Sequence, residues 1–152
     1  MLPLSWRSVS AAWGFDFERY QATDLDELME KKRPQTGVDL LSARPLKLSV
    51  ALASYGEACN TAFLKRMMIV IGLPKEMVEG TTITRCIKAR SANGKVVPLF
   101  IQDRVSEFLP KEIPLGSPLT LFVIHVFTAP DGPGLLVNEF LAANAGPGNT
   151  AR

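Results

Sequence analysis

The sequence predicts a mainly β domain of the α+β class, built as a small five-stranded barrel with a few helices. The first of the five predicted strands, residues 46–55, alternates apolar and polar side chains, which indicates a half-buried strand. The Asn93-Gly94 pair between two further β-rich runs is a strong signal for a tight hairpin. Hydrophobic residues make up 47% of the 152-residue chain and charged ones 21%, as in folded globular domains.

The remaining elements follow from turn and capping signals along the chain. Residues 81–90 and 95–102 are predicted as the second and third strands, and residues 118–128 and 135–142 as the fourth and fifth. Asn60 or Thr61 can begin a helical insert that ends at Gly72, between the first two strands. Asp103 can cap a short helix over residues 104–109, between the third and fourth strands.

Ahead of the barrel, residues 1–44 are predicted to form an N-terminal arm and a surface helix. Thr23 can cap a helix over residues 24–33, and residues 34–43 read as a linker. Residues 45–142 form the predicted barrel, and residues 143–152 read as a flexible tail. The arm carries five aromatic residues, which predicts packing on the domain or on a neighbouring subunit: Trp6, Trp13, Phe15, Phe17 and Tyr20.

This order of strands, with a helix between the third and fourth, is similar to the OB-fold barrel. The resemblance covers about two-thirds of the chain and depends on element order alone. It implies that the second and third strands form a face able to bind oligonucleotides or oligosaccharides. No functional residue is carried over from it.

The fourth strand is apolar on both faces. One face must fill the barrel, and the other needs a cover. The helical insert or the N-terminal arm can supply that cover within one chain. A second subunit can supply it instead, which is the basis for a homo-oligomer.

His125 is the only histidine, so zinc sites with several histidines are excluded. It lies in the fourth strand, and hairpin pairing predicts Asn138 or Glu139 opposite it. We interpret it as a structural residue and predict no catalytic residue. The alternative is a small hydrolase that uses His125.

Cys59 and Cys86 are the only cysteines, and they stand apart without a Cys-x-x-Cys motif, so the sequence predicts no metal site. Cys59 follows the first strand and Cys86 lies in the second, so the two can form a disulfide in an oxidising compartment. Two buried thiols are the alternative. The sequence as given shows no signal peptide, which indicates the cytoplasm, whereas a leader omitted upstream would indicate a periplasmic or secreted protein.

A cluster of cations, Arg85, Lys88, Arg90 and Lys95, lies on the second and third strands, and Phe100 is the aromatic residue there. These five residues are the candidate ligand-binding set. The net charge of +2 does not by itself indicate a nucleic-acid partner, and single-strand binders interleave more aromatic residues with such cations.

The sequence therefore predicts a non-enzymatic binding or interaction module that uses the face of the second and third strands. An oligomerising structural protein and the hydrolase are the alternatives. No cofactor is predicted. An unidentified protein or small ligand is the expected partner. Nucleic acid or oligosaccharide is a less favoured alternative. No membrane span is expected, because the longest apolar run covers only residues 67–73.

Overall fold

A computed structural model describes residues 16–143 of the chain. The strands are β1 (Gln21–Thr23), β2 (Asp39–Ala58), β3 (Arg85–Arg90), β4 (Val96–Ile101), β5 (Pro118–Ala129) and β6 (Gly132–Ala142). A 3-10 turn covers Phe17–Arg19, and the helices are α1 (Leu25–Glu30), α2 (Ala62–Val70), α3 (Lys75–Gly80), α4 (Asp103–Ser106) and α5 (Leu109–Glu112). Within residues 16–143, no helix is both long and apolar enough to cross a bilayer.

Five strands close into a barrel in the order β2-β3-β4-β6-β5, with β5 pairing back onto β2. The sixth, β1, is a short parallel addition to β2 outside this ring. Helices α2 and α3 lie between the first and second barrel strands, and α4 and α5 lie between the third and fourth. The predicted mainly β barrel and its element order are therefore confirmed, with β2 to β6 as the five predicted strands.

One junction of the barrel is only partly paired. Strands β4 and β6 run parallel and pair only at Phe100 with Leu136 and at Ile101 with Val137. Residues 96–99 of β4 and 132–135 of β6 lie before this short ladder begins. We call the gap between these two stretches the seam.

The main core fills the barrel with alternate side chains from every barrel strand, and α1 adds to it. Its fully buried members include Leu25, Leu48, Leu52, Ile87, Leu99, Leu121 and Phe140. Strand β2 is 20 residues long and pairs with both β3 and β5. Register shifts near Ser54, of the kind that bend a strand, interrupt its pairing with β3.

The outer face of β5 is covered by the chain itself. Helices α2 and α3 place Leu64, Met68 and Val78 in a second core cluster that includes Val126. Near the other end of β5, Phe17 and Tyr20 contact Phe122 edge-on, with ring centroids 4.9 and 5.5 Å apart. The predicted cover by the insert and the arm is therefore observed. The other arm aromatics, Trp6, Trp13 and Phe15, and the tail from residue 144 lie outside the described residues.

Three boundaries near the N-terminus differ from the prediction. Thr23 is the last residue of β1, so Asp24 caps α1 instead, and its carboxylate accepts a hydrogen bond from the N–H of Asp26 at 3.0 Å. The helix also ends earlier than predicted, at Glu30. The predicted linker is partly strand, because β2 begins at Asp39 and pairs there with Thr128 of β5.

The structure also differs from the prediction at Asp103. Its carboxylate accepts hydrogen bonds from the N–H and the hydroxyl of Thr84, at 2.8 and 2.6 Å, and Asp103 is the first residue of α4, where Gln102 and not Asp103 holds the N-cap position. The predicted helix over residues 104–109 is instead two shorter helices, α4 and α5. Strand β3 begins at Arg85 and not at residue 81, directly after the threonine that Asp103 binds.

Candidate ligand groove at the barrel seam

A groove of about 280 Å³ lies along the seam. Most of the residues that line it are apolar. They are Met29, Cys86, Val96, Val97, Pro98, Leu99, Phe100, Phe127, Asp131, Gly132, Pro133 and Gly134. Small-molecule sites are concave and mostly apolar, so this groove has the lining that ligand recognition requires.

The antiparallel register of β3 and β4 builds one wall of the groove. Cys86 lies opposite Phe100, and Lys88 lies opposite Pro98. Because side chains alternate along a strand, these residues face outward, whereas Ile87 and its neighbours on that face fill the barrel. The face that the sequence predicted for binding therefore contributes this wall.

The opposite wall comes from β5 and β6. A Cβ atom on Gly134 would lie 2.3 Å from the Phe127 ring, so only glycine lets the ring approach β6 this closely. Phe63 of α2 contacts Phe127 edge-on, with centroids 5.2 Å apart. At the α1 end, the Met29 methyl group lies 3.6 Å from the Cβ position of Gly132.

The backbone of β4 is open toward the seam. The N–H of Lys88 donates to Ser54 Oγ on β2 at 3.1 Å, so the backbone polar groups of Lys88 point away from β4. Its antiparallel partner Pro98 must then turn its own backbone groups away from β3 and toward the seam, as must Val96, two residues earlier. The missing N–H of Pro98 leaves no unpaired donor there, as expected for proline at an open edge.

Three of the four predicted cations lie near the hairpin turn. Lys88, Arg90 and Lys95 are all exposed, and the Arg90 guanidinium donates to the carbonyl of Gly94 at 3.3 Å. None of the three forms an ion pair within residues 16–143. Lys88 lies opposite Pro98, which lines the seam groove, whereas Arg90 lines a separate, more open hollow of about 440 Å³ that has Ser49 and Thr120 on its walls.

Arg85 does not belong with the other three. It pairs opposite Ile101 at the far end of β3, on the face whose other residues point into the barrel. Its Cδ atom lies 3.3 Å from the Cβ position of Gly56 on β2, on the other side of β3 from β4. The predicted single cluster is therefore divided, because Arg85 and Lys88 are three positions apart, and side chains at an odd spacing point to opposite faces of a strand.

Cys59 and Cys86 meet, as the disulfide alternative predicted. Their sulfur atoms are 2.05 Å apart and their Cα atoms 5.8 Å apart. The bond attaches the segment that leads into α2 to the outer face of β3. Cys86 lines the groove, so the disulfide forms part of the wall.

His125 is buried, with 4% of its surface exposed, and its Nε2 lies 3.2 Å from Thr128 Oγ1. Burial lowers its pKa to about 4; the nearby Arg44 contributes, and the backbone of Phe127 partly opposes the shift. The prediction that Asn138 or Glu139 lies opposite it is wrong, because His125 pairs with Leu135. Strands β5 and β6 continue to a two-residue turn, where Ala129 pairs with Gly132, and a register shift lies between His125 and Phe127. Together these place Leu135 opposite His125.

Met29, Phe127 and Gly134 line the groove although the sequence did not predict them as site residues. They come from α1, β5 and β6, and no local pattern connects them. Gly134 precedes the predicted fifth strand, and a glycine in a strand often marks a close approach of another group.

No protein-family model matches this sequence, and no curated protein matches it. Within residues 16–143, no group of three or more His, Cys, Asp or Glu side chains is arranged to hold a metal ion.

Proposed function

We propose that this protein is a non-enzymatic binding module whose ligand occupies the seam groove. The observation that carries the proposal is the position of this apolar groove. It lies beside the open β4 edge, and its wall includes Phe100 and Pro98, which belong to the face that the sequence predicted for binding. Lys88, opposite Pro98, adds an exposed positive charge that forms no ion pair with another residue of the described part of the chain.

The two alternatives have less support. A hydrolase would need His125 to reach a substrate, but the imidazole is buried and contacts Thr128. The oligomer alternative depends on an outer face of β5 that a second subunit covers. Residues of the same chain, including Tyr20 and Leu64, cover that face.

The experiment is an amide NMR titration of the whole chain with two aromatic fragments of similar size, neutral 2-naphthol and anionic 2-naphthoate. We expect the amide signals of Val96, Leu99 and Gly134 to shift in a saturable way. Because Lys88 lies opposite Pro98 of the groove wall, 2-naphthoate is expected to bind more tightly than 2-naphthol.

Val96→Trp is the blocking variant, because Val96 is 46% exposed and lines the groove. Leu115→Trp is the matched control, since Leu115 is 56% exposed and does not line the groove. We expect Val96→Trp to abolish the shifts and Leu115→Trp to leave them unchanged. Shifts that appear elsewhere, or that survive in Val96→Trp, would contradict the groove as the binding site.

A further inference from the structure

We propose that the natural ligand of this groove is an extended peptide segment that adds as a strand to the open edge of β4 and carries an acidic residue beside an apolar one. This inference builds on the function proposed above, because it names the class of ligand for the same groove. Three properties of the seam support it: its backbone edge, its size and its charge.

The open edge offers main-chain hydrogen bonds. Val96 directs an N–H and a C=O toward the seam, and Pro98 directs a C=O, because both residues alternate with those that bond to β3. The parallel ladder with β6 begins only at Phe100, so no strand within residues 16–143 pairs with these groups. An extended peptide pairs with such groups by strand addition, which small organic ligands cannot reproduce along an edge.

The size of the groove suits a side chain better than a whole small molecule. Its volume of about 280 Å³ lies just below the range of pockets that hold drug-sized ligands. Phe100 and Phe127 supply its aromatic walls. One large apolar side chain of a peptide can enter it while the peptide backbone stays at the β4 edge.

The charges at the rim indicate an acidic neighbour for that side chain. Lys88 is exposed opposite Pro98, and Lys95 is exposed at the residue before β4 begins. Within residues 16–143 neither forms an ion pair. Asp131 is the one acidic residue among the described side chains that line the groove, and it lies on the β5–β6 turn, across the seam from β4. A carboxylate on the peptide would therefore complement the cations on the β3–β4 side.

The test uses two fluorescein-labelled peptides as probes, and fluorescence polarisation against the whole chain gives their affinities. In the first, Asp alternates with Val on either side of a central Phe. In the second, Lys replaces every Asp. We expect the acidic peptide to bind at least about tenfold more tightly than the basic one at low salt. Equal affinities, or tighter binding of the basic peptide, would overturn the acidic ligand.

Two pairs of variants separate the contributions. Lys88→Glu is expected to weaken the acidic peptide by about tenfold, while Lys47→Glu, an equally exposed change on β2, leaves the affinity unchanged. Val96→Pro removes the seam-facing N–H without removing a bond to β3, and a loss of about fivefold is expected. Val96→Thr keeps that N–H and the branched shape, so it should bind as the parent does. A Val96→Pro protein that binds as well as Val96→Thr would overturn strand addition.

The fragment titration keeps the two proposals distinguishable. If the naphthalene fragments shift the groove amides and neither peptide binds, strand addition by a peptide is wrong and the groove remains a ligand site. If neither the fragments nor the peptides perturb Val96, Leu99 and Gly134, both proposals fail.

Discussion

The buried carboxylate of Asp26 accepts a hydrogen bond from the backbone N–H of Asn93, with Oδ2 and N 2.9 Å apart. Sixty-seven residues separate the two along the chain. Asp26 lies in the first turn of α1, and Asn93 lies in the turn between β3 and β4. This bond therefore attaches the N-terminal helix to the hairpin that forms one wall of the groove.

We expect Asp26→Ala to lower the free energy of unfolding by about 2 kcal/mol, because it leaves the Asn93 N–H without its charged acceptor. Asp26→Asn keeps an acceptor oxygen and removes a buried charge, so a loss below about 1 kcal/mol is expected. Urea unfolding measures both. Glu27→Ala, an exposed change in the same turn, is the control and should stay within about 0.5 kcal/mol of the parent. Equal stabilities for Asp26→Ala and Glu27→Ala would contradict this role of the bond.

The disulfide between Cys59 and Cys86 closes a loop with a sequence separation of 27 residues. Cross-linking such a loop restricts the unfolded chain, so Cys59→Ser with Cys86→Ser should lower the free energy of unfolding by about 3 kcal/mol. Urea unfolding with and without a reducing dithiol checks this. Reductant should destabilise the parent to a similar extent and leave the double variant unchanged. A parent that does not respond to complete reduction, verified by thiol counting, would contradict the prediction.

The fold could be predicted because its signals are local. The Asn93-Gly94 turn defines the β3–β4 hairpin, and alternation identifies much of β2. The element boundaries were less predictable where a distant group intervenes. Thr84 lies outside β3 because the carboxylate of Asp103, 19 residues later, binds its N–H and its hydroxyl.

Half of the groove was beyond prediction for a related reason. The wall formed by Cys86 and Phe100 follows from the hairpin register. The other wall depends on where the parallel pairing of β4 and β6 stops and on the fit of Phe127 over Gly134. Those are properties of packing between segments far apart in sequence, and alternation along one strand carries no information about them.

His125 gives a prediction about pH. Its pKa falls to about 4 in the fold, whereas an unfolded histidine has a pKa near 6.5, so only the unfolded chain binds this proton between those values. Stability from this residue is complete above about pH 6.5, declines as the pH falls toward about 4, and is constant below that. The total loss is at most about 3 kcal/mol.

The measurement for His125 is urea unfolding of the parent and of His125→Leu across that pH range. Leucine suits the site, because Leu135 lies opposite. Carboxylates titrate in both proteins, so the informative quantity is the difference in free energy between them. We expect that difference to move in favour of His125→Leu as the pH falls. A difference that stays constant with pH would show that His125 does not titrate between the two states.

Gly134→Ala tests the wall that the sequence did not reveal. The new methyl group would lie 2.3 Å from the Phe127 ring, and Phe127 is only 6% exposed, so the ring has little room to move away. We expect a loss of about 2 kcal/mol in the free energy of unfolding, as for other overpacked cores. Gly80→Ala is the matched control, because nothing lies within 4 Å of its Cβ position.

A double-mutant cycle with Phe127→Leu identifies the cause. Leucine removes the ring that the methyl group meets, so Gly134→Ala should cost about 1 kcal/mol less in that background than in the parent. Chemical denaturation of the four proteins gives this coupling energy directly. Should Gly134→Ala cost the same in both backgrounds, the close approach to Phe127 would not be the reason that glycine occupies this position.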